Sequence, residues 1–168
     1  MRKLFPALLL LVAGCTHPIF DEEYIVVNDF GVNRVEILYQ DGEGALPVRL
    51  KIAGTGTVEL ETGTSPLVGN EFSINYADEK WNDTRKYRQS ISPEDARMIF
   101  QTLVNLGLCL EPSDPPDDWP KDKKPEKQAV VRANLNGRII KREIVWDKEL
   151  LSETESLVKM FYRQGMKE

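Results

Sequence analysis

Apolar and polar residues alternate with a period of two through most of the first half of the chain, the spacing of a strand with one buried face. Val35, Ile37 and Tyr39 are set against Arg34, Glu36 and Leu38, and beyond a turn at Asp41-Gly42-Glu43-Gly44, Val48, Leu50 and Ile52 are set against Arg49 and Lys51. These two runs predict a hairpin. After Gly54-Thr55-Gly56 the alternation resumes at Val58, Leu60 and Thr62 up to Gly63, and again at Phe72, Ile74 and Tyr76. Thr84 to Ile91 is also strand-like, and Arg85, Lys86 and Arg88 mark it as a solvated or edge strand. Short runs bounded by turn residues argue for an antiparallel sheet rather than βαβ units.

The period changes at Ser92. Ser92-Pro93-Glu94-Asp95 sets a capping hydroxyl before a first-turn proline, with acids at the positive end of the helix dipole. Ala96, Ile99, Phe100, Leu103 and Leu106 then recur at helical spacing, and Gly107 stops the run. A proline-rich stretch follows. Ala129, Val131, Ala133 and Leu135 next alternate up to Asn136-Gly137, the preferred pair for a type I′ hairpin, and the chain returns from Arg138 to Trp146. Leu150, Thr154, Leu157, Val158 and Phe161 predict a terminal amphipathic helix.

Together these elements predict an α+β domain: an antiparallel meander sheet with one helix packed on a face and a C-terminal amphipathic helix. Parts of it resemble a recurrent, uncharacterised α+β module of secreted bacterial proteins. The shared features are Gly56-Thr57-Val58, Ile91-Ser92-Pro93-Glu94, Leu106-Gly107-Leu108 and Leu135-Asn136-Gly137. They are structural punctuation across about half of the chain, so the resemblance implies a fold and no activity.

The first fourteen residues follow a different rule. Arg2 and Lys3 precede an apolar stretch from Leu4 to Ala13 and then small residues, the order of a secretory signal. Ten apolar residues rise about 15 Å as a helix, half of a hydrocarbon core, which is short for a permanent span. Val12-Ala13-Gly14-Cys15 resembles the lipobox of bacterial lipoprotein precursors. That resemblance implies cleavage after Gly14, a diacylglyceryl group on the Cys15 thiol, and a further acyl chain such as palmitate on the new amino terminus. Residue types agree: a thiol is the soft nucleophile that accepts an alkyl group, and small Ala13 and Gly14 let a protease approach. More than one acyl chain is what holds a protein durably on a membrane. Thr16 is not the aspartate that retains such proteins in the inner membrane, so the resemblance favours the outer membrane, facing the periplasm, in a host with two membranes. The expected organisation is a signal peptide at 1–14, a lipidated tether at 15–33, and one domain at 34–168. Tyr24-Ile25-Val26-Val27 is either a first strand or a segment packed on the domain edge.

Composition adds bounds. The 168 residues are 41% hydrophobic and 29% charged, ordinary for a globular protein and unlike collagenous, disordered or polytopic membrane chains. Loss of Arg2 and Lys3 lowers the basic residues from 22 to 20 against 27 acids, a formal −7. Nucleic acid is therefore not an expected partner. With Cys15 committed to lipid, Cys109 stands alone and reads as a buried small hydrophobe.

Chemistry is sparse. The single histidine, His17, sits beside the expected anchor, so a Ser-His-Asp or Cys-His site in the body is not expected. No zinc set is present, and the acids Asp114, Asp117, Asp118 and Asp122 lack the glycine and terminal glutamate of an EF-hand. Gly54-Thr55-Gly56 lacks the Gly-Lys-Ser/Thr of a phosphate loop and reads as a turn. No catalytic residue, metal or cofactor is assigned. The stretch Glu111 to Lys127 holds five of the ten prolines and one large apolar residue, Trp119. Such loops tend to be functional, and Trp119 either docks on a partner or folds back as a lid on the sheet. The expected function is a membrane-anchored, non-enzymatic envelope module binding another envelope component through a sheet edge or the Trp119 loop. The alternative is a cell-wall hydrolase using a carboxylate pair.

Overall fold

The computed structural model describes residues 26–28, 31–42, 45–64, 82–120 and 125–165. Six strands and two helices follow in the order β1 (Arg34–Asp41), β2 (Val48–Ala53), β3 (Thr57–Thr64), β4 (Asn82–Ser90), α1 (Pro93–Asn105), β5 (Lys127–Leu135), β6 (Arg138–Ile144) and α2 (Lys148–Gly165). The class is α+β, with one open antiparallel sheet ordered β4-β3-β2-β1-β5-β6. The expected strand at Phe72–Tyr76 and the segment from Met1 to Ile25 lie outside the described residues.

The sheet is not a single meander. The first four strands are one, but β5 pairs along β1 from Arg34↔Asn134 to Asp41↔Lys127, so the first strand becomes an inner one. Its sequence suits that place, because Ile37, Leu38 and Tyr39 are buried in succession on both faces. Strand β4 occupies one edge, where its charged residues predict it, and β6 the other.

Residues of one sheet face, among them Val35, Ile37, Leu50, Ile52, Val58, Leu60, Val131 and Leu135, form one core cluster with Phe100 and Leu103 of α1 and Leu157, Val158 and Phe161 of α2. Burial of that apolar set is the main favourable term holding the fold, since the driving force scales with the apolar area removed from water. Helix α1 begins as its residues dictate: the Ser92 hydroxyl accepts the Asp95 backbone N–H at 3.0 Å, and Pro93 occupies the first turn, where no N–H is needed. The β5–β6 turn has φ of 54° at Asn136 and 84° at Gly137, the left-handed pair of a type I′ hairpin.

Asparagines tie the segment before β1 to that hairpin. Asn33 donates to the Asn28 carbonyl at 2.8 Å and accepts the Asn136 N–H at 2.8 Å, while Asn136 donates to the Val26 carbonyl at 2.6 Å. Val27, whose N–H reaches Gln101 of α1 at 2.8 Å, is buried within the core. The packed domain thus includes Val27, at its edge. Cys109 is half-buried against the core, and burial pushes its thiol pKa up.

Candidate functional site

Alternation places most charged residues of the strands on the sheet face turned away from the core cluster, Arg85 and Arg142 being exceptions, and the register aligns that outer face into two rows. The first runs Lys141, Arg132, Glu36, Lys51, Glu59, Arg88 across β6, β5, β1, β2, β3 and β4. The second runs Glu143, Val130, Leu38, Arg49, Glu61, Lys86 across the same six strands. Opposite charges on directly paired residues stabilise a sheet, by about 0.2–1 kcal/mol for each pair.

Ion pairs follow the rows. Glu36 lies 3.4 Å from Arg49 and 3.6 Å from Lys51, and Glu61 lies 3.2 Å from Arg49 and 3.3 Å from Lys86. Arg88 reaches Glu59 at 3.7 Å. Arg49, only 6% exposed, is the buried centre of this network. Beside it Leu38 and Val130, each 1% exposed, make a small apolar patch outside the main core cluster. A buried guanidinium is tolerated because two carboxylates flank it; removing either would leave part of its charge uncompensated.

Toward Arg34 the face opens into a groove of about 570 Å³. Arg34, Lys51, Arg132 and Lys141 line it against Glu36 and Glu59, with Asn134 in the wall and Ile139, 72% exposed, at the rim. Four cations against two carboxylates give the groove a positive surplus within an acidic protein. Every one of Glu36, Glu59 and Glu61 has a cation within 4 Å, so these carboxylates act as counter-charges. No protein-family model matches the chain, and comparison with curated proteins and with solved structures finds no match.

The proline-rich loop is anchored by a second network. Arg142, on β6 and 4% exposed, turns its guanidinium to the carbonyl oxygens of Gly107, Leu110 and Glu111, where α1 ends, and pairs with Asp147 at 2.8 Å. Asp147 also accepts the hydroxyl of Ser113, and its own carbonyl accepts the Leu151 N–H at 2.8 Å in the first turn of α2. Burial acts to raise the Asp147 pKa. Hydrogen bonds from Ser113 and Arg142, with the guanidinium charge, outweigh it and hold the carboxyl below its ordinary range.

Trp119 is half-buried and meets Trp146 edge-on, with ring centroids 4.7 Å apart and planes 65° apart. Such an edge-to-face pair fixes the loop on the end of β6. Asp114, Asp117 and Asp118 are exposed along the same loop, and Asp122 lies outside the described residues. Val12, Ala13, Gly14, Cys15 and His17 lie outside them too. Among the described residues no three His, Cys, Asp or Glu side chains come together to hold a metal, and no helix is long and apolar enough to cross a membrane.

The charged rows are partly legible in the sequence as polar positions of alternating strands. Their alignment is not, because it depends on the β1–β5 register. Arg142 and Trp146 carried no sequence signal beyond being a charge and an aromatic near a strand end.

Proposed function

We propose that this chain is the precursor of a bacterial envelope lipoprotein whose body is a non-enzymatic binding or accessory module. The observation that carries the binding role is the cation-rich groove at the Arg34 end of the sheet, where Arg34, Lys51, Arg132 and Lys141 stand against Glu36 and Glu59. The anchor is supported by the order of residue types from Arg2 through Val12-Ala13-Gly14 to Cys15. In this reading α1 packs on one face of the sheet and α2 covers more apolar surface, leaving the groove of the opposite face and the edge strands to a partner. The acylated protein sits in the cell envelope, at the outer membrane facing the periplasm where the host has two membranes.

The partner is an envelope component bearing negative charge. Complementary charge speeds encounter and selects the partner, and its contribution weakens as salt screens it. The Trp119–Trp146 pair offers a second contact, with an apolar body beside the exposed acids of the loop.

Two measurements test the proposal separately. Cys15→Ser abolishes labelling by radioactive fatty acid; persistent labelling overturns the anchor. Affinity recovery from detergent-solubilised envelopes is compared for the parent chain, the Lys51→Glu/Lys141→Glu double variant and Trp119→Ala. Loss of the same partner from the charge variant, at unchanged thermal stability, supports the groove. Undiminished recovery removes the groove from the function, and undiminished recovery with Trp119→Ala removes the loop.

A further inference from the structure

A second cavity, remote from the charged rows, lies on the core side of the sheet between the last turns of α2 and the β1–β2 end. It is an open cleft of about 560 Å³, within the range of small-molecule sites. Its walls are apolar and aromatic: Tyr39 and Val48 from the sheet, Val158 and Tyr162 from α2. Leu46, 57% exposed, extends that apolar surface at the rim.

The charged residues at the cavity are unequal in number and in freedom. Lys159 is engaged by Glu155 and lies 3.7 Å from Asp41, the one carboxylate of the lining. Arg85 of β4 and Arg163 of α2 also line the cavity, and among the described residues neither has a carboxylate within 4.0 Å. Guanidinium groups present forked donors that match carboxylate and phosphate oxygens. Two such groups beside an aromatic and aliphatic pocket suit a molecule with one charged end and one apolar end.

We propose that this cavity binds a single-chain anionic amphiphile, an apolar chain ending in a carboxylate or a phosphate. The head pairs with Arg85 and Arg163, and the chain lies against Val48, Val158, Tyr162 and Leu46. The inference is independent of the charged rows, so its failure leaves the proposed partner surface untouched.

Octanoate and octyl phosphate, both soluble as monomers, are the probes, titrated into the full chain while the backbone amides of Val158 to Arg163 are followed by NMR. Saturable shifts in that segment are expected with at least one probe, and the stronger of the two identifies the head group. Octyltrimethylammonium, with the same chain and the opposite charge, produces none. The Arg85→Gln/Arg163→Gln double variant weakens binding at least tenfold, with the thermal midpoint unchanged because both side chains are exposed. Absence of saturation with both probes, equal binding of the cationic control, or full affinity in the double variant overturns the proposal.

Discussion

Arg142 shows what a single residue decides here. An arginine in a strand as charged as β6 reads from sequence as a solvated charge, yet this one is buried because three carbonyl groups just after α1 and the Asp147 carboxylate converge on it. Truncating one partner of such a network leaves the others desolvated and unpaired, at a cost of about 3–5 kcal/mol. Arg142→Ala is therefore expected to lower the unfolding free energy by about 3 kcal/mol or more in urea titrations, an effect far above that of an exposed arginine. The same network fixes a pH dependence. Because the folded Asp147 carboxyl has a depressed pKa, its contribution is fully present above the unfolded value and is lost as pH falls through the folded one. Urea midpoints of the parent chain should fall in acid, with Asp147→Asn less stable near neutrality and showing a shallower fall below pH 4, near the unfolded aspartate value of about 3.9. Equal acid slopes in the two proteins would assign that dependence to other groups.

At the scale of elements, local signals were legible. The Ser92 cap, the first-turn proline and the Asn136-Gly137 turn each act within three or four residues, so the chain announces them directly. The edge position of β4 was legible too, from Arg85, Lys86 and Arg88. Two glycines of similar φ separate local from tertiary requirements. Gly137, at 84°, has open space where a Cβ would stand, so Gly137→Ala costs only the left-handed backbone, about 1–2 kcal/mol. Gly56, at 89°, would set its Cβ 2.1 Å from the Ile91 carbonyl oxygen, a clash with backbone where β3 meets the end of β4. Gly56→Ala should destabilise clearly more than Gly137→Ala in parallel thermal or urea unfolding. Similar losses would show that the β4–α1 junction yields without cost.

For the whole molecule, the decisive contact is β1 with β5, which joins Arg34 to Asn134 across the length of the domain. It converts the first strand into an inner one, aligns the two charged rows, and closes the groove between Arg34 and Lys141. A chain ending at Glu126 loses β5, β6 and α2 together, exposing one edge of β1 and removing Leu157, Val158 and Phe161 from the core. It should show no cooperative thermal transition, and a sharp transition in that fragment would mean that the first four strands and α1 fold alone. By itself the sequence determined the kinds of element, their starts and turns, and the α+β class, because periodicity, caps and turn residues act over a few positions. Only the tertiary structure decided the order of strands, the burial of Arg49 and Arg142, and which charges share a row. Those depend on pairing between residues about a hundred positions apart, which no local pattern specifies.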